Sequence, residues 1–483
     1  MRSIKFYISC LLLGIVFAFL SAGPAGAAQV KVLVDGKDVA LDVRPVIENG
    51  RTLVPLRGIF EKMGATVNWD SKTKTVTAVK GSKKIKLVIG SKVATKNNET
   101  VKLDVPAAVR NGNTLVPLRF VSEALGANVS FNKTDKTISV DTKVKVEYAT
   151  GFSIEYIGDG CKKVVDGEGR TLLLVPRGKK VPDGYKGVPV IYTPIDNVLA
   201  ASITQVSLLR PLNVLHSISG VTADKNDWYI AEIKKGLEKG SIKFVGGSNM
   251  GEPDYEKVQA LNPQIVFAYT GAYGQQKMIN KLSELGIKYA IDNEYLEEHP
   301  LGRMEWIKFL GAFYNKEAEA TAYFNNAVKA VNALSTKIPK GTKPKVLWGS
   351  IYKGEVHVPN GGSYVAKMIE MAGGDYVFKD LSPNKGSSSK ISIEEFYAKG
   401  IDADIFIYSS TTEWTGSVQD IIKKAPVLAE LNSIKKGNVW CFQPWYYQVL
   451  DKTHETIQDL AVIFHPSAFK GYSVKHYDKV PMK

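Results

Sequence analysis

The run NKEAEATAYFNNAVKAVNALSTKI, residues 315–338, decides how the rest of the chain is read. Asn315 fits an N-cap, Glu317 and Glu319 put negative charge in the first turn, and Ala320, Phe324, Ala327, Val331 and Leu334 recur at spacings of three and four. That pattern gives a helix with one apolar face. About twenty residues rising about 1.5 Å each span roughly 30 Å, the diameter of a small domain. Short apolar runs alternate with helical ones on both sides of it. The segment therefore predicts a rigid strut joining two lobes, rather than an ordinary amphipathic helix inside one globule.

Outward from the strut, strand-like runs stand at 198–201, 218–221, 242–245, 264–269 and 287–291 on one side. On the other they stand at 344–349, 355–358, 404–408 and 439–442, with helical runs at 363–372, 393–399 and 454–463. Strands alternating with helices predict mainly parallel sheets covered on both faces. The fold class expected is α/β: a first lobe over 194–302, an inter-lobe helical segment over 303–340, a second lobe over 341–470 and a tail over 471–483.

Ahead of the lobes, 146–193 carries short alternating runs with turn signals at Asp159-Gly160 and Asp166-Gly167, which reads as a small antiparallel lead-in or a linker. Residues 29–145 hold an internal duplication. RTLVPLRGIFEKMGATVNWDSKTKTVTAV at 51–79 returns 62 positions later as NTLVPLRFVSEALGANVSFNKTDKTISV, aligning Thr52 with Thr114, Arg57 with Arg119 and Trp69 with Phe131. Each copy predicts an extended run, a short helix and a hairpin. These motifs resemble the copper amine oxidase N-terminal-like, or stalk, domain. The segment has no histidine and no cysteine, so a soft or borderline metal finds no ligands there. It reads as a smaller α+β spacer or attachment module.

Residues 1–28 predict a secretory signal: Arg2 and Lys5, an apolar run from Ile8 to Leu20, and Ala25-Gly26-Ala27 for cleavage. Cys10 precedes most of that run, which argues against a lipid-modified cysteine at the cleavage site. Loss of Arg2 and Lys5 takes the net charge from +15 to +13, dispersed rather than clustered. Nucleic acid is not expected as a partner; anionic wall polymers or lipid head groups suit the excess better. The expected location is outside the cytoplasm, at the cell envelope. A bridge between Cys161 and Cys441 is permitted in that compartment, but no disulfide framework is expected.

In open α/β sheets the loops at the carboxyl ends of the strands form the ligand crevice. Here they supply Thr204 and Gln205; Tyr269 and Tyr273; Trp348 and Tyr352; Trp414; and Trp445, Tyr446 and Tyr447. Aromatic and hydroxyl groups with few carboxylates favour a large organic ligand held by contact area and a few hydrogen bonds. Of the six histidines only His357 stands near a second-lobe opening, so free transition-metal binding is the weaker alternative. Tyr273, Tyr446, Tyr447 and His357 are the axial candidates for a haem. Lys353 and Lys385 are the basic residues for an anionic complex. The chain has no G-x-S-x-G elbow, no H-E-x-x-H pair and no P-loop. An enzyme is therefore not expected, and no cofactor is assigned. An adhesion or sensing protein without transport is the third reading.

The motifs EPDYEKVQALNPQIVFAY, LSELGIKYAIDN, FLGAFYNKEAEA and SIEEFYAKGIDADIFIY make residues 194–470 resemble a class III ABC-transporter substrate-binding protein. The resemblance implies two lobes bridged by one helix. It also implies capture of an iron-siderophore, corrinoid (vitamin B12-like) or haem complex, and delivery to an ABC permease and its ATPase. It places the permease-docking glutamates at Glu256 and Glu394, with Glu395 competing for the second position.

Overall fold

The computed structural model describes residues 30–132, 134–247, 251–271, 275–341 and 343–483; the predicted leader and Tyr273 lie outside them. The strut is a helix over Glu317–Leu334, and the five residues expected to form its apolar face are the five it buries. It packs between the helix Ile307–Phe313, which precedes it, and Thr453–Phe464 of the second lobe.

Asn315 does not cap it. Its φ of 56° is left-handed, which ends the preceding helix in a conformation asparagine tolerates. Its side-chain oxygen instead accepts from Lys162 Nζ at 2.8 Å. The buried Lys162 also donates to the Ala312 carbonyl at 2.8 Å and pairs with Glu317. One cation thus serves the carbonyl end of one helix and the acidic first turn of the next.

The first lobe is a five-stranded, all-parallel sheet in the order Lys243–Phe244, Ile218–Val221, Val198–Ala200, Ile265–Ala268, Tyr289–Ile291. The second is seven-stranded and mixed. Its parallel centre is Asp375–Tyr376, Lys345–Tyr352, Ile405–Thr411 and Val439–Phe442. Glu355–Pro359 and Ser388–Ile391 extend one edge antiparallel, and Tyr477–Lys479 closes the other. The last residues, read as a tail, therefore re-enter the sheet. A three-residue edge strand with one inward side chain, Tyr477, carries no alternation to be read. Cys161 and Cys441 are both buried and free, so the bridge between them is not formed.

Four strands precede the lobes. Ser153–Gly158, Cys161–Val165 and Thr171–Pro176 are antiparallel, and Val190–Thr193 joins them parallel. Asp159 and Gly160, both at positive φ, make the tight turn their sequence predicts. This sheet is not a linker: Phe152, Ile154, Val164 and Leu172 belong to the same apolar core as both lobes and the strut. The approach to it is fixed by two buried carboxylates. Glu305 accepts the backbone N–H groups of Glu147, Tyr148 and Ala149, and Glu297 those of Thr150 and Gly151, all at 2.7–3.0 Å. Lys308 at 2.6 Å balances Glu305, so the buried charge is both paired and hydrogen-bonded.

The duplicated module folds about its own symmetry. Strands Arg51–Pro55 and Asn113–Pro117 pair antiparallel with Val54 opposite Val116, equivalent positions of the two repeats, which marks a local two-fold axis. A helix follows each strand at once, Leu56–Lys62 and Leu118–Ala124, and then a hairpin, Thr66–Asp70 with Thr75–Lys80 and Asn128–Asn132 with Thr137–Asp141. Asn49-Gly50 and Asn111-Gly112, all at positive φ, turn the chain into each central strand.

Candidate functional site

The strand ends of the first lobe line a cavity of about 240 Å³ that includes Ser202, Thr222, Trp228, Tyr269 and Gln275. Burial pushes the Tyr269 phenol up, and its ring meets Tyr295 edge-on at 5.8 Å. Two amide oxygens, Gln275 Oε1 and the buried Gln205 Oε1, have no hydrogen-bond partner, and a buried amide in that state is costly. Gln205 itself is 1% exposed, beneath the wall rather than on it.

A second cavity, about 290 Å³, lies between the lobes, with Arg210, Tyr229 and Ile230 from the first and Trp445, Gln448, Lys452 and His476 from the second. A narrow slot of about 40 Å³ adjoins Thr204, Arg303, Tyr364, Tyr446 and Tyr447. Arg303 lies 4.3 Å from the Tyr364 ring centroid and 2.8 Å from Glu294. Burial alone would lower its pKa; the Glu294 carboxylate holds it above the ordinary arginine range. Tyr446 stacks on Phe442 at 4.1 Å and bonds Tyr477.

The lobes are stitched across this space. Gln448, buried, accepts from the N–H groups of Tyr229 and Ile230 at 2.9 and 3.2 Å and donates to the Asp227 carbonyl at 2.6 Å. Arg210 holds Asp451 with two bonds of 2.6 and 3.0 Å. The Tyr229 hydroxyl bonds Glu413, which pushes that phenol up to about 12. Asp227 lines the first cavity and Tyr229 the second, so the Gln448 stitch runs between them.

Of the predicted ligand residues, Tyr269, Thr204, Trp445, Tyr446 and Tyr447 line these spaces. Trp348 does not: it is 1% exposed, its indole N–H bonds Ser409 at 3.0 Å, and it packs on Phe442. Being in mid-strand, it points into the core and supports the wall from behind. Tyr352 and Trp414 are 60% and 80% exposed and line none of the three spaces. Gln448, Tyr229, Arg210 and Arg303 were missed. Nothing periodic marks them, because their placement depends on the two lobes meeting.

Among the described residues no group of three or more His, Cys, Asp or Glu is placed to hold a metal ion. Three of the six histidines have other work: His476 bonds Glu455 at 3.1 Å, His465 the Gly373 carbonyl, and His299 caps the helix Pro300–Glu305; His357 Nε2 is buried with no hydrogen-bond partner.

Glu256 and Glu394 occupy the same place on two helices. Asp254 caps Tyr255–Leu261 and Ser392 caps Ile393–Gly400, and each glutamate stands two residues after its cap. Glu395 is one further along. Both Glu256 and Glu394 are exposed.

Residues 202–444 match the family described as periplasmic binding protein, and residues 33–140 the family described as copper amine oxidase N-terminal domain. An uncharacterised lipoprotein of Methanocaldococcus jannaschii is 40% identical over 334 residues, covering 65% of this chain and 78% of that protein. Among solved structures, a periplasmic solute binding protein of Veillonella parvula superposes with a TM-score of 0.48 at 21% identity, covering 65% of this chain and 88% of that one. A periplasmic heme binding protein of Pseudomonas aeruginosa gives 0.49 at 17%, covering 60% and 99%.

Proposed function

Because this chain belongs to the periplasmic binding protein family, we propose that it is the substrate-binding component of an ABC importer, gripping an organic metal complex between its lobes. Members of this family bind rather than transform. The family, and a relative named a lipoprotein, support a location at the cell envelope, outside the cytoplasm. No helix among the described residues is long and apolar enough to cross a membrane.

The observation that carries the ligand class is the pair of cavities separated by the Gln448 stitch. Neither alone has the several hundred Å³ usual for such a ligand; joined by opening the stitch, they do. Their walls are Tyr269, Trp228, Tyr229 and Trp445, with Arg210 and Lys452 as the cations. That chemistry suits an iron-siderophore, a corrinoid or a haem-like complex better than a bare ion, for which no ligand cluster converges among the described residues. Absorption and mass spectra of protein purified from its native host should reveal a coloured, stoichiometric organic complex. A colourless protein holding one bare metal ion would overturn the reading. Trp445→Ala and Tyr269→Ala should each weaken binding by more than about 1 kcal/mol.

Permease docking falls to Glu256 and Glu394, whose shared position after a helix cap favours Glu394 over Glu395. Glu256→Arg with Glu394→Arg should abolish uptake and leave ligand affinity intact; uptake at the normal rate removes this assignment.

A further inference from the structure

The duplicated module carries two open cavities, of about 480 Å³ and 330 Å³, that are copies of each other. Shifting the residue numbers of one by 62 gives the lining of the other, apart from Val109 and Ser130. Leu56, Arg57, Glu61 and Trp69 of the larger become Leu118, Arg119, Glu123 and Phe131 of the smaller. The correspondence crosses the repeats. The larger cavity, built mainly by the first copy, is closed by Asn113 and Thr114 of the second, and the smaller is closed by Arg51 and Thr52 of the first. Gly58 in one stands where Phe120 fills the other, which accounts for the difference in volume.

Each cavity presents an aromatic ring to solvent, Trp69 42% and Phe131 47% exposed. Each lining also holds an arginine–glutamate pair one helical turn apart, Arg57 with Glu61 and Arg119 with Glu123, and an aspartate, Asp42 or Asp104, of which Asp104 accepts from Arg51 at 2.7 Å. A single exposed ring would be ordinary, but here each ring forms part of a cavity lining and both stand at equivalent places of the two repeats.

We propose that these are two copies of one saccharide-binding site, and that the module holds a pyranose polymer of the cell envelope. The flat C–H face of a pyranose ring covers an aromatic face, and planar guanidinium and carboxylate groups at the rim are matched to adjacent hydroxyls. Duplication fits a ligand that repeats. Each site can be weak if the polymer offers many units, because the second contact is made at high effective concentration. The two-fold axis adds a constraint: a polysaccharide has direction, so one straight strand cannot fill both sites alike. The pair therefore engages two strands or a folded one.

The test is co-sedimentation of the full-length protein with insoluble envelope polysaccharide from its own organism, stripped of protein by protease, alone and with the soluble oligosaccharides released from that material by partial acid hydrolysis added as competitor. The intact chain should sediment with the polysaccharide and be released by the competitor. Trp69→Ala with Phe131→Ala, both exposed, should cut the bound fraction at least tenfold, and each single variant should cut it less. Failure to sediment, survival of binding in the double variant or failure of the oligosaccharides to compete each overturns the proposal. Binding only to envelopes that retain their protein assigns the surface to a protein partner. A dimer seen by light scattering and lost in the double variant assigns it to a second copy of this chain. Either result also counts against a saccharide, and none of them bears on the cleft between the lobes.

Discussion

Along the strut the lobes meet through Phe324, Ala327 and Val331, packed into the apolar core that also holds Phe309, Phe313, Leu460 and Phe464. At the mouth they meet through Gln448, Arg210, Asp451, Tyr229 and Glu413, a set of directed bonds. The two regions touch where the Tyr323 hydroxyl of the strut donates to the Asp451 carbonyl at 3.2 Å. Apolar burial is lost only when water enters, whereas a hydrogen bond can be exchanged for one to water at a net cost of about 0.5–1.5 kcal/mol. On this ground the mouth is the side expected to open, with the strut keeping the hinge motion small.

The largest effect should come from the back. Phe324 is fully buried, with the Tyr148 ring centroid 5.9 Å from its own and Lys308 Nζ 4.5 Å away. Phe324→Ala should lower the unfolding free energy by about 3–5 kcal/mol through lost burial and the cavity left behind. Urea unfolding followed by tryptophan fluorescence measures it. A loss below about 1 kcal/mol would mean that the strut is not part of the shared core and that the contrast between back and mouth fails.

At the mouth, Gln448→Ala removes three bonds at once and leaves two N–H groups and a carbonyl to find water. Stability should fall by about 1–3 kcal/mol, and the ligand should leave several-fold faster, because the stitch spans the two cavities. Stopped-flow release measures the second effect. An unchanged release rate would separate the stitch from ligand exchange.

How far this contrast could be read in advance depends on range. The strut's buried face is a 3.6-residue repetition within one helix, so Ala320 to Leu334 were legible to the residue. Val439–Phe442 and Ile218–Val221 likewise appear where their apolar runs stand. Asn315 was misread because a left-handed helix terminus and an N-cap draw on the same residue types, and only the position of Lys162 distinguishes them here. Trp348 was misread because the residue type signals a binding wall while the strand's pleat sends this side chain inward. The mouth was nearly illegible: Gln448 and its partners at 227–230 are more than two hundred residues apart, and no local pattern records that pairing.

Acidification probes the helix Thr453–Phe464, which packs on the strut, more gently. Asp459, on the helix facing the strut, accepts from the Lys475 and His476 N–H groups and the Tyr472 hydroxyl. Burial nonetheless raises its carboxyl from 3.8 to about 6. The folded chain therefore holds this proton more tightly than the unfolded chain. The stabilisation is complete below pH 3.8 and is lost as pH rises through about 6. The unfolding free energy should be greater at pH 5 than at pH 7 by on the order of 1 kcal/mol from this group. Asp141 in the duplicated module, also raised to about 6, acts in the same direction, so the carboxyl carbon shift of Asp459 is the specific measurement. A midpoint near 4 would show that its three donors outweigh burial.

The smallest effect sharpens the account of the mouth. The Tyr229–Glu413 bond joins two exposed side chains at its rim. A bond of this kind contributes less than about 1 kcal/mol, because water replaces either partner easily. Tyr229→Phe keeps the ring that meets Trp445 edge-on at 6.2 Å and keeps the backbone N–H that Gln448 holds. It should leave stability nearly unchanged and speed ligand release less than Gln448→Ala does. A direct signature exists as well: the phenol held at about 12 by Glu413 should return to the ordinary tyrosine range in Glu413→Gln, visible as earlier tyrosinate absorbance on alkaline titration. If Tyr229→Phe instead matches Gln448→Ala in its effect on release, closure depends on the exposed rim and not on the buried amide.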